Sequence, residues 1–422
     1  MNSPQQNPEP EQQLPESEQI PQEIEEQDQE PEESQVDYKN VRLTDILKAK
    51  FPIFHGLFSA PARPKSHLDA IKILAIFLVL LNHTGSNLFT QYTTESGTIA
   101  HWLMLAHSVF IKAAVPLFFM SSGALLLGRN EPYAKLLSKR VLRFVFTLLA
   151  VSVITYQLNL KSGASFSISE FLTKLYRGNI ATHLWYLYAY ICLLMTIPFM
   201  RKIAQHMEQM DFYWLIVLQL IESSVAFLDY FFFRGSASHS WSFTFFTATR
   251  GVLYPLLGYY MENKMTDEKY TTEGFVQLLV LTLMSIYLTC LMKEWRVNVD
   301  GGWNSSNTEV YLDSIIVFPS ILVYYGAKLW FIRLPASPRL GKILFNIGSY
   351  TFGVYLLEGF FRKWTVGVRN LLRAKTGLYF ATWVQILAAL LLGLLVTFAY
   401  KTLWALISET FKRIFGRKEA QE

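Results

Sequence analysis

The sequence predicts an all-α integral membrane protein, a bundle of about ten transmembrane helices that follows a disordered acidic tail. Hydrophobic residues make up 51% of the 422-residue chain and charged residues only 17%, whereas a soluble domain is about one quarter charged. Ten apolar stretches each approach the ~20 residues that a helix needs to cross about 30 Å of hydrocarbon. The predicted spans are 70–90, 102–127, 141–158, 183–200, 212–233, 243–262, 275–292, 311–333, 343–361 and 380–408.

The beginning of the chain is rich in Gln, Glu and Pro. Residues 1–37 hold twelve of the 33 acidic residues and none of the 38 Lys and Arg, so the remainder carries a formal charge of about +17. With so little apolar surface to bury, this tail is expected to be disordered. Residues 41–65 mix apolar and basic side chains, a pattern typical of a segment lying on a membrane surface. We therefore divide the chain into a tail, 1–40, a juxtamembrane segment, 41–65, a transmembrane domain, 66–408, and a basic cytoplasmic C-terminus, 409–422.

Lys and Arg are concentrated in alternate loops, which predicts a multi-pass protein of the plasma (inner) membrane with both termini in the cytoplasm. The first long apolar run begins only near Ala70, so no cleavable signal peptide is predicted. Residues 362–379 disagree with this topology. Their basic residues would lie outside if the count of ten is right; they are Arg362, Lys363, Arg369, Arg373 and Lys375. Either a span is miscounted or this segment meets an anionic group, and we favour the second explanation.

Several function classes lack their sequence signatures. The chain has no P-loop, no Gly-rich dinucleotide fingerprint, no metal-ligand spacing and no Gly-x-Ser-x-Gly elbow. Cys192 and Cys290 both lie in apolar runs, so we predict buried small side chains and neither a disulfide nor a metal site. A basic body around apolar spans favours anionic lipids and phosphorylated ligands, and argues against nucleic acid as a partner.

The first span carries the most informative polar residues. A histidine such as His83, near the outer end of a membrane helix, is costly unless it faces a polar cavity. The alternative is a residue that caps the helix at headgroup level. Lys72 precedes His83 by eleven residues, which corresponds to roughly 16 Å along the helix axis. One helix would therefore hold a cation toward the inner surface and an imidazole toward the outer one.

Five segments stand out in chain order: Asp69, Lys72 and His83; Ala114 to Leu126; Lys139 to Arg143; His183 to Leu187; and Gly348 to Leu357. Together they resemble the membrane acyltransferase type 3 family, the integral O-acetyltransferases of envelope glycans, over about residues 66 to 408. The first resembles the family's Asp-x-x-Arg followed three turns later by His. The others resemble its Pro-x-Phe-Phe-x-x-Ser-Gly, Arg-x-x-Arg, Leu-Trp-Phe-Leu and late Tyr-Leu-x-His segments.

Two positions depart from the family pattern. Lys72 stands where the family has Arg, which keeps the charge but loses the bidentate fork. Glu358 stands where the family has its late His, so a carboxylate replaces an imidazole. Glutamate can substitute if that position only orients a partner, whereas a role in proton chemistry would be changed.

The resemblance implies an acyl-CoA-dependent O-acyltransferase, with transfer of an acyl group, usually acetyl from acetyl-CoA, to a hydroxyl of an extracytoplasmic or lipid-linked glycan. Acyl-CoA would be a donor substrate and not a permanently bound cofactor, and the partners would be the donor, the glycan acceptor and membrane lipids. Lys72, Arg140 and Arg143 are the expected contacts for the polyanionic acyl-CoA. For the two arginines, simple positive-inside anchoring is an equally good interpretation.

The catalytic hypothesis is that His83 acts as general base on the acceptor hydroxyl, with Glu358 or His183 orienting the imidazole. A covalent acyl-His intermediate is the mechanistic alternative. Glu358 could instead form an interfacial ion pair with Arg362, one turn along the helix, and His183 could be a helix-end residue beside Trp185. All three titratable groups are predicted at one depth.

The rival function is a transporter or flippase for a small anion or a lipid-linked sugar, with His83 and Glu358 as proton relay groups. Transporters often contain two related halves, and no such internal repeat is visible in this sequence. A third functional class is a membrane receptor or an assembly scaffold that uses the acidic tail to bind a partner.

Overall fold

The structure is a computed structural model that describes residues 65–83, 97–160, 165–178, 180–233, 249–302 and 315–415. The predicted tail, the juxtamembrane segment up to residue 64, and residues 416–422 lie outside the described residues. Every regular element in the described ranges is helical. In chain order the helices are α1 (Ser66–Asn82), α2 (Ile99–Leu126), α3 (Tyr133–Leu158), α4 (Ile168–Tyr176), α5 (Trp185–His206), α6 (Gln209–Phe233), α7 (Thr249–Tyr259), α8 (Thr272–Val299), α9 (Val317–Arg333), α10 (Pro338–Leu356), α11 (Glu358–Trp364) and α12 (Val366–Phe415).

Among the described residues, five helices are long and apolar enough to cross a membrane: α2, α3, α5, α8 and the part of α12 that covers Val366–Trp404. Each of the ten predicted spans overlaps a helix of the structure. The span predicted at 343–361 is divided between α10 and α11, because Leu357 leaves the helical conformation with φ −116° and ψ 13°. The predicted 70–90 span is helical as far as Asn82, and residues 84–90 lie outside the described residues.

Helix α1 is buried among its neighbours. It packs against α2, α9, α10 and α12. Residues on several faces of the helix are at most 1% exposed: Leu68, Ile71, Ala75, Ile76, Leu80 and Leu81. A helix that is apolar on all sides is expected to lie inside a bundle rather than at its surface. The polar residues near the two ends of α1 therefore face protein or a cavity.

Helix α8 shows the opposite pattern, with large apolar side chains pointing away from the protein. Val276, Val280, Leu283, Met284 and Tyr287 are each at least half exposed. A surface of this kind is stable when lipid covers it, because hydrocarbon replaces the missing protein contacts. Apolar helices and exposed apolar faces together define an all-helical membrane protein.

The prediction that both cysteines are buried is wrong for one of them. Both thiols are free; Cys290 is buried, and Cys192 is exposed on α5. An apolar run in a membrane helix does not distinguish a side chain that faces protein from one that faces lipid, since both surroundings are apolar.

Two glycines let α2 and α7 cross with their backbones in contact. A Cβ atom built on Gly123 would lie 1.8 Å from the carbonyl oxygen of Pro255, and one built on Gly258 would lie 1.9 Å from that of Met120. Small residues at such crossings are a common way to bring membrane helices close together. This contact fixes the position of the middle of α2, where Phe118 lines the cavity described below.

We predict that Gly258→Ala destabilises the protein by about 3 kcal/mol, because the added methyl group must displace backbone atoms. The matched control is Gly251→Ala in the same helix, where nothing lies within 4 Å of the added Cβ; we expect it to be neutral or to stabilise by about 0.5 kcal/mol. Thermal unfolding in detergent measures both. Equal midpoints for the two variants would show that the crossing is looser than described.

Candidate active site

One cavity of about 980 Å³ connects the two ends of α1. Lys72 lines it at one end of the helix and His83 at the other, about 16 Å apart along the axis. Two further predicted site residues on other helices, Glu358 and His183, line the same cavity, as does Arg140. The imidazole of the first span thus opens into a cavity that also reaches Lys72 and Arg140, two of the three predicted phosphate-binding cations.

The carboxylate of Glu358 lies at the centre of the His83 end of this cavity. The residue is fully buried, with 0% exposure. Its Oε1 atom lies 3.0 Å from His83 Nδ1 and 3.8 Å from His183 Nδ1, and its Oε2 atom lies 3.7 Å from Arg362 Nε. The three contacts lie within ion-pair distance, but their geometry does not meet that of a hydrogen bond. A buried carboxylate without such partners would be strongly unfavourable.

Backbone contacts hold the partners of Glu358 in place. Arg362 donates a hydrogen bond from Nη1 to the carbonyl oxygen of His83 at 2.7 Å, and Tyr355 donates its hydroxyl to the carbonyl oxygen of His183 at 2.6 Å. Gln385 in turn donates to the carbonyl oxygen of Arg362 at 3.0 Å. Segments from α1, α5, α10, α11 and α12 therefore converge on one carboxylate. The predicted pairing of Glu358 with Arg362 and its predicted contact with His83 occur together.

At the other end of α1, the ammonium group of Lys72 donates a hydrogen bond to Asp69 Oδ1 at 2.8 Å. Asp69 is buried, and Gly348 of α10 packs so closely that an added Cβ would lie 3.0 Å from Asp69 Oδ1. The carboxylate is thus fixed by packing, and it holds Lys72 at the cavity wall.

The two arginines of the Arg-x-x-Arg segment have different surroundings. Arg140 lines the cavity and donates a hydrogen bond from Nε to Glu131 Oε2 at 2.8 Å. Glu131 lies in the loop between α2 and α3, and the Arg140 hydrogen bond, with the charges of Arg140 and Arg201, lowers the pKa of its carboxyl below the usual value. Arg143 is exposed and does not belong to the lining. The predicted pair is therefore separated.

Aromatic side chains line the cavity between its two charged ends. Tyr186 lies at the centre of this group, with its ring centroid 5.9 Å from that of Phe118, 5.8 Å from Tyr190 and 5.4 Å from Tyr355. These distances fall within the range of favourable ring contacts. The middle of the cavity thus has apolar walls with a few hydroxyl groups.

Several polar residues of the lining were not predicted as site residues, among them Asn82, Lys112 and Arg129. Asn82 lies directly before His83, inside a motif that had already been singled out. Lys112 could have been found as a single cation within the apolar stretch 102–127, since an ionisable residue inside a membrane span is a functional candidate. Arg129 follows the Ser-Ser-Gly stretch, and positive-inside anchoring is enough to explain a cation at such a loop position.

Four other histidines are described by the structure, and none of them lines this cavity. His67 pairs with Glu262 at 2.8 Å, and His101 pairs with Glu294. His107 stacks on Trp383, and His206 contacts the carbonyl oxygen of Lys202. His55 and His239 lie outside the described residues.

A buried carboxylate beside an imidazole that opens into a cavity is an arrangement suited to proton transfer from a bound hydroxyl or similar group. The fold and the site thus define a helical membrane protein with an intramembrane His–Glu centre. Residues 66–402 match the model of the acyltransferase type 3 family, described as an acyltransferase domain. The chain therefore belongs to this family and is a membrane acyltransferase. No curated protein and no solved structure matches the chain.

We predict that Glu358→Gln lowers the free energy of unfolding by about 3 kcal/mol, because it leaves Arg362 without a carboxylate in a buried site. As a control, Glu268→Gln alters an exposed glutamate and should change stability by no more than about 0.5 kcal/mol. Thermal unfolding in detergent compares the two. A Glu358→Gln protein as stable as the control variant would contradict a charge-pairing role for this carboxylate.

Proposed function

We propose that this membrane acyltransferase moves an acyl group, most simply acetyl, from cytosolic acyl-CoA to a hydroxyl of an extracytoplasmic or lipid-linked glycan. The observation that carries the proposal is the single cavity, which joins the cations Lys72 and Arg140 to the His83–Glu358 pair. Acyl-CoA has a polyanionic head and a long neutral pantetheine arm. Its site therefore needs cations at one end and a reactive centre that lies about the length of the pantetheine arm away.

In the proposed reaction, His83 is the general base. Its Nδ1 atom faces Glu358, which leaves Nε2 free to accept a proton, as in other carboxylate–imidazole pairs. Nε2 takes the proton of the acceptor hydroxyl while the hydroxyl oxygen attacks the thioester carbonyl carbon. The carbon–sulfur bond then breaks, and the CoA thiolate takes the proton back from the imidazolium. Glu358 favours the imidazolium that forms between the two steps. His183 contacts the same carboxylate oxygen at a longer distance and acts as a second orienting group.

Donor binding is assigned to the Lys72 end. Phosphates of acyl-CoA are expected to contact Arg140 and Lys72, with Arg129 as a further cation of the same lining. The uncharged pantetheine arm can pass between Phe118, Tyr186 and Tyr190, because these aromatic side chains give the cavity lining apolar surface. Arg143, being exposed, is at most a secondary contact.

Acceptor binding is assigned to the His83 end. Arg362 and Lys363 line the cavity there, and both belong to the basic segment that conflicts with the positive-inside pattern. A lipid-linked saccharide carries phosphate next to its sugar, so these two cations can bind that phosphate. An uncharged glycan would not use them. Both side chains therefore favour a phosphate-bearing acceptor.

Replacing His83 tests the catalytic assignment. His83→Ala should reduce acyl transfer by roughly 10²- to 10⁴-fold, the contribution expected of a general base. The control His206→Ala removes an exposed histidine at the end of α5 and should leave the rate unchanged. Purified protein is given radiolabelled acetyl-CoA and an envelope glycan extract, and both CoA release and labelled glycan are measured. CoA release that is unaffected by His83→Ala, or absent from well-folded wild-type protein, would reject the proposal.

The two arginines provide a matched pair for the donor site. Arg140→Ala should raise the KM for acetyl-CoA about tenfold, since a hydrogen bond to a charged group contributes roughly 1.5–3 kcal/mol. Arg143→Ala should raise it less than about twofold, because that side chain does not line the cavity. Steady-state kinetics with acetyl-CoA measure both constants. Equal effects of the two substitutions would contradict donor entry at the Arg140 side.

A further inference from the structure

Lys112 is a buried cation that the acid–base chemistry above does not use. It lies in the 3₁₀ turn Ile111–Ala113, which interrupts α2, and it is only 5% exposed. An ammonium group inside a membrane span is costly unless a polar cavity or a specific partner receives it. Lys112 has both, since it lines the cavity and donates a hydrogen bond to Asn82 Oδ1 at 2.8 Å.

This hydrogen bond fixes the orientation of the Asn82 amide. Its oxygen accepts from a cation, so the groups that remain are the two N–H donors of Nδ2. Asn82 directly precedes His83, and both side chains line the same cavity. An amide donor and the proposed base therefore face the same cavity, and the positive charge of Lys112 polarises the N–H bonds of the amide.

We propose that Asn82 and Lys112 form the oxyanion-binding site of the transfer reaction, with Asn82 as the catalytic residue and Lys112 as its positioning residue. The inference rests on the proposed function. When the acceptor oxygen attacks the thioester carbonyl carbon, the π electron pair moves to the carbonyl oxygen, and Asn82 Nδ2 donates a hydrogen bond to the resulting oxyanion. When the carbonyl re-forms, the carbon–sulfur bond breaks, and the thiolate leaves with the proton held by His83.

Donors that are fixed before the reaction stabilise such an oxyanion strongly, because no reorganisation is needed as its charge develops. Attack by His83 itself, which would give an acyl-imidazole, passes through an oxyanion on the same carbonyl group. The site therefore serves both the direct reaction and the covalent alternative.

The decisive variant is Asn82→Asp. A carboxylate of the same shape keeps the contact with Lys112 but has no N–H to donate, and its charge repels an oxyanion. A purely structural role for the pair predicts a folded protein of normal activity. An oxyanion role predicts a kcat that is about 10²- to 10³-fold lower, with a KM for acetyl-CoA within about threefold of wild type. Asn370→Asp makes the same chemical change at an exposed position of α12 outside the cavity and should leave kcat unchanged.

Lys112 is tested by two substitutions in the same assay. Lys112→Arg keeps a cation beside Asn82 and should retain more activity than Lys112→Met, which removes it. If Lys112→Met does not fold, Asn82→Asp still tests the oxyanion role, because that variant keeps Lys112 and an oxygen atom to accept its hydrogen bond. Binding of CoA, measured by calorimetry, should be the same in wild type and Asn82→Asp.

The outcomes distinguish this inference from the proposed function. An inactive, well-folded wild-type protein overturns the proposed function and the inference with it. A wild type that is active, loses activity in His83→Ala and keeps its kcat in Asn82→Asp overturns the oxyanion site alone.

Discussion

The burial of one carboxylate constrains the whole His83 end of the protein. Glu358 has no exposure to solvent, so its charge must be balanced by groups that the protein itself supplies. Those groups are His83, His183 and Arg362, and two of them come from helices that are distant in sequence. The break at Leu357 separates Glu358 from α10, which ends at Leu356, and so lets the carboxylate face these groups. Packing at this end of the bundle and the arrangement of the reactive groups thus have the same cause.

The central position of α1 links that constraint to the opposite end of the cavity. Because the helix is rigid and surrounded by protein, the distance from Lys72 to His83 is fixed by the rise of the helix and not by flexible side chains. The hydrogen bond from Lys72 to Asp69 removes most of the remaining freedom of the cation. The distance between the two ends is therefore fixed. If the charged group of an extended ligand binds at the Lys72 end, this distance determines which ligand atom reaches the imidazole.

The sequence predicted the depth of the site residues but not all of their lateral positions. Span order and helical rise were sufficient to put His83, His183 and Glu358 at one level. Their convergence depends on which helix faces meet, and that is decided by packing such as the close approach of Gly348 in α10 to Asp69 in α1. Local irregularity limited the rest. Arg140 lies within the π-helical turn Leu137–Val141, whereas Arg143 follows it, so a 3.6-residue period does not relate the two directions.

The two departures from the family pattern are explained by their partners. A lysine lacks the bidentate fork of arginine and would be less well fixed on its own, but here a buried aspartate one turn earlier holds Lys72 at 2.8 Å. A glutamate at position 358 can pair with Arg362 and with His83 together, which a protonated imidazole could not do without repulsion. These two contacts fit the orienting role that we propose for this carboxylate and support His83 as the proposed general base.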